Sequence, residues 1–84
     1  MSDYNGWKNR QTWNIALHIK GDEMIYRNAC RLVSAIGKKP TIKQTQDIVD
    51  ELFDEMTADG VSTIDKAIDW KAIGEVLEET RSRR

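Results

Sequence analysis

Apolar side chains recur at steps of three and four residues in four successive stretches of this chain, and each stretch is bounded by a capping residue or a glycine. That is the repeat of an α-helix with one buried face. A single proline, Pro40, and little β-branched alternation leave strands without support. The cleanest stretch opens at Thr41, which with Gln44 has the spacing of a capping box. Its stripe is Thr45, Ile48, Val49, Leu52, Phe53 and Met56, closed by Asp59-Gly60, and it predicts a helix over about 42–58.

The other helices follow from the same signals. Asn9 is placed to cap a helix over about 10–20 that Gly21 ends. On it Trp13, Ala16, Leu17 and Lys20 share one side, and Ile15 and Ile19 form a neighbouring strip. Asp22 is placed to cap a second helix over about 23–36, with Ile25, Ala29, Leu32, Val33 and Ile36 as its buried stripe and Gly37 as its stop. Asp69 is placed to cap a last helix over about 70–80, with Trp70, Ile73, Val76 and Leu77 facing inward. Gly74 costs that helix about 1 kcal/mol against alanine, which points to close backbone packing there. Residues 61–68 carry Val61, Ile64, Ala67 and Ile68 and read as a short helix or a loop. Connections of a few residues make neighbours antiparallel or sharply angled. The expectation is one all-α domain over 1–84, a compact bundle of four helices or five, with an aromatic arm at 1–8 and a frayed basic tail at 81–84.

Charge distribution directs the search for function. The chain carries 13 Lys and Arg against 14 Asp and Glu, a formal net charge of −1. Residues 1–46 nevertheless hold eight bases and three acids, and residues 47–84 hold five bases and eleven acids, so the halves stand at +5 and −6. Such bipolarity bears on partners and association rather than on fold. No apolar run approaches the ~18 residues of a membrane span. The first residues lack the basic and apolar regions of a signal peptide. With Cys30 as the one cysteine, the expectation is a soluble, cytoplasmic protein.

Catalytic and metal chemistry find little to stand on. One Cys and one His cannot supply the several ligands of a zinc or iron site. Cys30 adjoins the apolar stripe of the second helix and reads as a buried, inert thiol. His18 reads as a surface or partly packed residue, because no Ser or Cys nucleophile is presented to it. No glycine-rich phosphate loop occurs. The expectation is a protein without catalytic, cofactor-binding or metal-binding residues.

Three constellations remain. Asp47, Asp50, Glu51, Asp54 and Glu55 recur at three- and four-residue steps along the third helix, and no base between residues 44 and 65 relieves their repulsion. They read as a solvated face or as a docking face for a basic surface. Arg27, Arg31, Lys38, Lys39 and Lys43 form a scattered basic set, the alternative nucleic-acid-binding surface. A sequence pI of 5.8 argues against general phosphate binding, which usually accompanies a domain pI above about 9. Tyr4 and Trp7, ahead of the first helix, either fold back as a hydrophobic staple or stand out as an interface anchor. Trp13 and Trp70 occupy core positions and are expected to pack close together.

The segment Tyr4-Asn5-Gly6-Trp7-Lys8-Asn9-Arg10-Gln11-Thr12-Trp13-Asn14-Ile15-Ala16-Leu17 resembles the opening of a group of short proteins from phages, bacteria and archaea with the pattern N-G-W-x-N-x-x-T-W-x-x-x-L. Ile68-Asp69-Trp70-Lys71-Ala72-Ile73-Gly74 looks like that group's second block. Arg10 stands where the group commonly has an aromatic residue, and His18 stands near a frequent Trp. The group carries no assigned activity, so the resemblance transfers no catalytic residue. It implies a phage or mobile-element setting.

The expectation is therefore a non-enzymatic, protein-binding inhibitor or adaptor. Its target would be the basic surface of a host protein or nucleoprotein complex, such as a CRISPR-type defence nuclease, engaged through the acidic helix face with Tyr4 and Trp7 beside it. The alternative is a small nucleic-acid-associated module using the basic set. The opposed charges of the two halves would also allow a homodimer in which a basic half meets an acidic half.

Overall fold

The computed structural model of the chain describes residues 6–82. Four helices follow one another: α1 (Arg10–Gly21), α2 (Glu23–Ile36), α3 (Ile42–Phe53) and α4 (Trp70–Ser82). α2 and α4 pack on each other, and each also touches α1 and α3. The bundle measures 35 × 24 × 24 Å. No helix among the described residues is long and apolar enough to cross a membrane.

Local caps set most of the boundaries. Asn9 Oδ1 accepts the Thr12 amide at 2.9 Å and starts α1. Asp22 serves twice: its backbone closes α1, and its carboxylate accepts the Met24 and Ile25 amides to open α2. Gly37, at φ 79°, ends α2 in the left-handed conformation that glycine adopts without steric cost. Thr41 and Gln44 complete the expected capping box, with bonds of 2.9 and 3.1 Å.

The core joins Ile15, Ala16 and Ile19 of α1 to Ala29 and Val33 of α2, Ile48, Val49 and Phe53 of α3, and Ile73, Val76 and Leu77 of α4. On α1 the buried residues are Thr12, Asn14, Ile15, Ala16 and Ile19, so the Ile15–Ile19 strip goes inward and takes only Ala16 from the side of Trp13 and Leu17. Leu17, on the side of Trp13 and Lys20, is 46% exposed, and Trp13 is half-buried. The helix is apolar on two adjacent strips, and the position of α2 and α4 selects one of them.

The third helix stops five residues short of its expected end. Asp54 and Glu55 take positive φ values of 51° and 83°, and the Asp54 amide bonds Asp50 O at 2.9 Å. The chain then folds into a tight turn in which Thr57 N reaches Val61 O at 2.9 Å and Thr63 N reaches Glu55 O at 3.0 Å. Met56, expected on the buried stripe, is 54% exposed, and Val61 enters the core at 4%. The cause is tertiary. Thr57 Oγ1 donates to Asn14 of α1 at 2.8 Å, a bond that another turn of helix would forfeit.

Residues 61–68 form turns rather than a helix. Ser62 Oγ accepts the Ile64 amide at 3.2 Å and Asp65 Oδ1 accepts the Ala67 amide at 2.8 Å. Such short-range side-chain bonds compete with helical pairing. Asp69 caps α4 as expected, accepting the Ala72 amide at 3.2 Å. α4 continues to Ser82, beyond the expected end near 80. At Gly74 an added Cβ would lie 3.2 Å from Thr45 Oγ1, so α3 and α4 do cross closely there.

Candidate functional site

The long connection 54–69 is tied to the bundle by two polar networks, and these position the candidate surface. The first joins the starts of α1 and α4. Thr12 Oγ1 donates to Asn9 Oδ1 at 2.8 Å and accepts the Asp69 amide at 2.8 Å, while Asn9 Nδ2 donates to Ala67 O. Asn9 and Thr12 of the N-terminal block, and Asp69 of the C-terminal block, thus form a structural clasp.

The second network is centred on Asn14, which is 1% exposed. Its Nδ2 donates to Asp59 Oδ2 at 2.7 Å and its Oδ1 accepts from Thr57 Oγ1. His18 Nε2 lies 3.0 Å from the same Asp59 oxygen, and the imidazole meets the Phe53 ring edge-on at 6.1 Å. The Asn14 amide first, and then His18, hold the Asp59 carboxyl below the usual carboxylate range. Among the described residues the polar partner of His18 is this carboxylate, so the pair fastens the connection to α1. The expected partly packed histidine thus has a fixed partner.

The acidic set divides. Asp47, Asp50 and Glu51 lie on α3, while Asp54 and Glu55 lie on the turn that follows it, so the expected single helical row is broken after Glu51. Asp47 pairs with Lys43 at 3.5 Å, and Asp50 Oδ1 accepts the Thr63 hydroxyl at 3.2 Å. All five are exposed. Among the described residues no Lys, Arg or His lies within ion-pairing distance of Asp50, Glu51, Asp54 or Glu55.

The basic set is largely spoken for. Arg27 pairs with Glu23 at 2.8 Å, Lys39 with Glu75 at 4.0 Å and Lys43 with Asp47, while Arg31 bonds Asn28 at 3.3 Å. Lys38 alone of the five has no such partner among the described residues. Exposed pairs of this kind contribute little stability, yet each cancels local potential.

Trp7 folds back on the bundle. It is half-buried against the core, and Lys20 Nζ sits 5.9 Å from its ring centroid. Tyr4 lies outside the described residues. Cys30 is half-buried rather than fully buried, with Sγ 3.8 Å from Thr80 O. Among the described residues no group of three His, Cys, Asp or Glu could hold a metal ion.

One feature of the surface escaped sequence reasoning. A cleft of about 320 Å³ opens between α3 and the turn at 62–66, lined by Gln46, Asp47, Asp50, Ile64, Asp65 and Trp70 among others. Ile64 is 80% exposed beside it. Its trace in the sequence is Ile64 itself, an apolar residue in a segment rich in turn formers.

Fold and surface together define a small all-α protein with an acidic, locally apolar face. The chain belongs to a family of unknown function, DUF7249, whose model matches residues 1–83. No curated protein and no solved structure matches it.

Proposed function

We propose that this protein is a non-enzymatic protein-binding module, an adaptor or inhibitor that docks its acidic face on the basic surface of a partner protein. The observation that carries the reading is the unequal pairing of charges. Four of the five candidate carboxylates have no cationic partner among the described residues, whereas three of the five candidate bases are held in intramolecular ion pairs. Unpaired carboxylates project a negative potential that steers a basic partner and rejects phosphate backbones. The apolar exposure of Ile64 and Met56 close by in sequence adds the desolvating contact that charge alone does not provide. The phage or mobile-element setting, with host machinery such as a defence nuclease as target, rests on the resemblance of the two tryptophan-containing blocks.

Electrophoretic mobility shift at two salt concentrations separates this reading from the nucleic-acid module. The expected result is no retarded DNA or RNA at either concentration. Salt-sensitive retardation by the isolated protein would instead assign the primary role to Arg27, Arg31, Lys38, Lys39 and Lys43.

A further inference from the structure

The cleft between α3 and the 62–66 turn specifies the partner's chemistry more narrowly than a negative face does. Three aspartates line it, Asp47 and Asp50 from α3 and Asp65 from the turn, against the single cation Lys66. Each aspartate has Oδ1 engaged: with Lys43 Nζ at 3.5 Å, with the Thr63 hydroxyl at 3.2 Å and with the Ala67 amide at 2.8 Å. Among the described residues no donor is bonded to the second oxygen of any of the three. The three do not approach one another closely enough to hold a metal ion. A planar cation with several divergent N–H groups can bridge carboxylates that a point charge cannot, and its face stacks on an aromatic ring. Trp70, half-buried at the start of α4, supplies such a ring in the lining.

Beside the aspartates and Trp70 the lining is Gln46, Thr63, Lys66 and one aliphatic side chain, Ile64. Ile64 is 80% exposed on a turn whose neighbours Val61, Thr63 and Ile68 are all buried, so the turn is anchored while its tip faces solvent. A volume of about 320 Å³ is at the small end of ligand pockets and suits one or two side chains rather than a drug-sized molecule.

Resting on the acidic-face reading above, we infer that this cleft receives an arginine side chain of a partner protein, with an adjacent apolar residue of the same segment packed on Ile64. The guanidinium lies among Asp47, Asp50 and Asp65, against Trp70. Lys66 then opposes binding, because it is the one like charge in the lining.

The test uses the full chain and an N-acetylated, C-amidated eight-residue peptide carrying one leucine-arginine pair in a neutral background, titrated by ¹⁵N–¹H correlation spectroscopy. Expected are shifts confined to residues 46–50 and 63–70, with loss of binding when arginine is replaced by the isosteric, uncharged citrulline. Ile64→Ser, at a site too exposed to unfold the protein, weakens binding about tenfold. Lys66→Ala tightens it several-fold. Glu51→Lys, outside the cleft, has a smaller effect than Ile64→Ser. Binding lost in Glu51→Lys but unchanged in Ile64→Ser and Lys66→Ala overturns the cleft while leaving the acidic face intact. Shifts elsewhere, equal binding of the citrulline peptide, or no binding at about 1 mM peptide overturn the cleft outright. Shifts at Ile64 that depend on protein concentration, with a dimer by sedimentation, assign the cleft to a second copy and overturn it too.

Discussion

Replacing Asn14 with alanine strikes the joint on which the candidate surface depends. Asn14 is 1% exposed, and its side chain accepts the buried Thr57 hydroxyl at 2.8 Å and donates to Asp59 at 2.7 Å. Asn14→Ala leaves the Thr57 proton without an acceptor in a buried position, which costs about 1–3 kcal/mol. The lost side-chain packing adds roughly 1 kcal/mol. A total of about 2–4 kcal/mol is a large share of the 5–15 kcal/mol typical of a whole domain. At roughly 4–8 °C per kcal/mol for a domain of this size, Tm falls by about 8–32 °C. Thermal unfolding followed by circular dichroism at neutral pH reads this directly.

The same variant has a pH signature. The Asp59 carboxyl is depressed in the folded state, chiefly by Asn14 and then by His18. A depressed carboxylate contributes stability that is present above its unfolded pKa, about 3.9, and is lost as pH falls through the lower folded value. Asn14→Ala removes the larger cause, so the variant loses less stability than the wild type across that acid interval. A Tm change under about 3 °C, or an unchanged acid slope, refutes the view that Asn14 anchors the connection.

Four further outcomes follow from particular contacts. Among the described residues Thr45 Oγ1 is buried without a hydrogen-bond partner, so Thr45→Val leaves Tm unchanged or raises it by a few degrees in calorimetry, at most about 1 kcal/mol. Gly74→Ala places Cβ 3.2 Å from that oxygen; it destabilises by about 1 kcal/mol in urea titration, and the loss disappears in a Thr45→Ala background. Glu55→Gly relieves a φ of 83° and raises stability by about 0.5–1 kcal/mol, read as an increased urea midpoint. Asn9→Ala removes the α1 cap together with the bond to Ala67 O, so it costs more than the ~1 kcal/mol of a cap alone, and amide exchange rises at 67–69.

What could be read from the sequence was local. Asp22, Gly37, and Thr41 with Gln44 act within one turn of their own helix, and α2 runs over the residues its caps and stripe predict. The close approach at Gly74 was legible because a glycine inside a helix carries a cost that packing must offset. The end of α3 was not, since its cause is a bond between residues 43 apart, Asn14 and Thr57. Continued helical periodicity through Met56 gave no hint that Val61 would take a place in the core. The buried strip of α1 was ambiguous for a related reason. Thr12 and Asn14 look like solvent-facing residues until their partners at 57, 59 and 69 are known.

The candidate surface followed the same division. The carboxylates of α3 were visible as an unrelieved run, and their exposure is a property of the helix. Which charges are paired depends on contacts such as Lys39 with Glu75 across the fold. The cleft beside Ile64 needs the turn at 62–66 to be folded against α3, and no pattern within either segment encodes that docking.

The central claim is that the acidic face, and not the basic set, carries the partner. Affinity capture of a partner protein should be quantified for the wild type, for Glu51→Lys/Asp54→Lys/Glu55→Lys, and for Arg27→Glu/Lys38→Glu/Lys43→Glu, with helical circular dichroism confirming that each variant is folded. The account predicts that the first triple variant loses the partner and that the second retains it. Retention by the first and loss by the second would contradict the account and transfer the function to the basic surface.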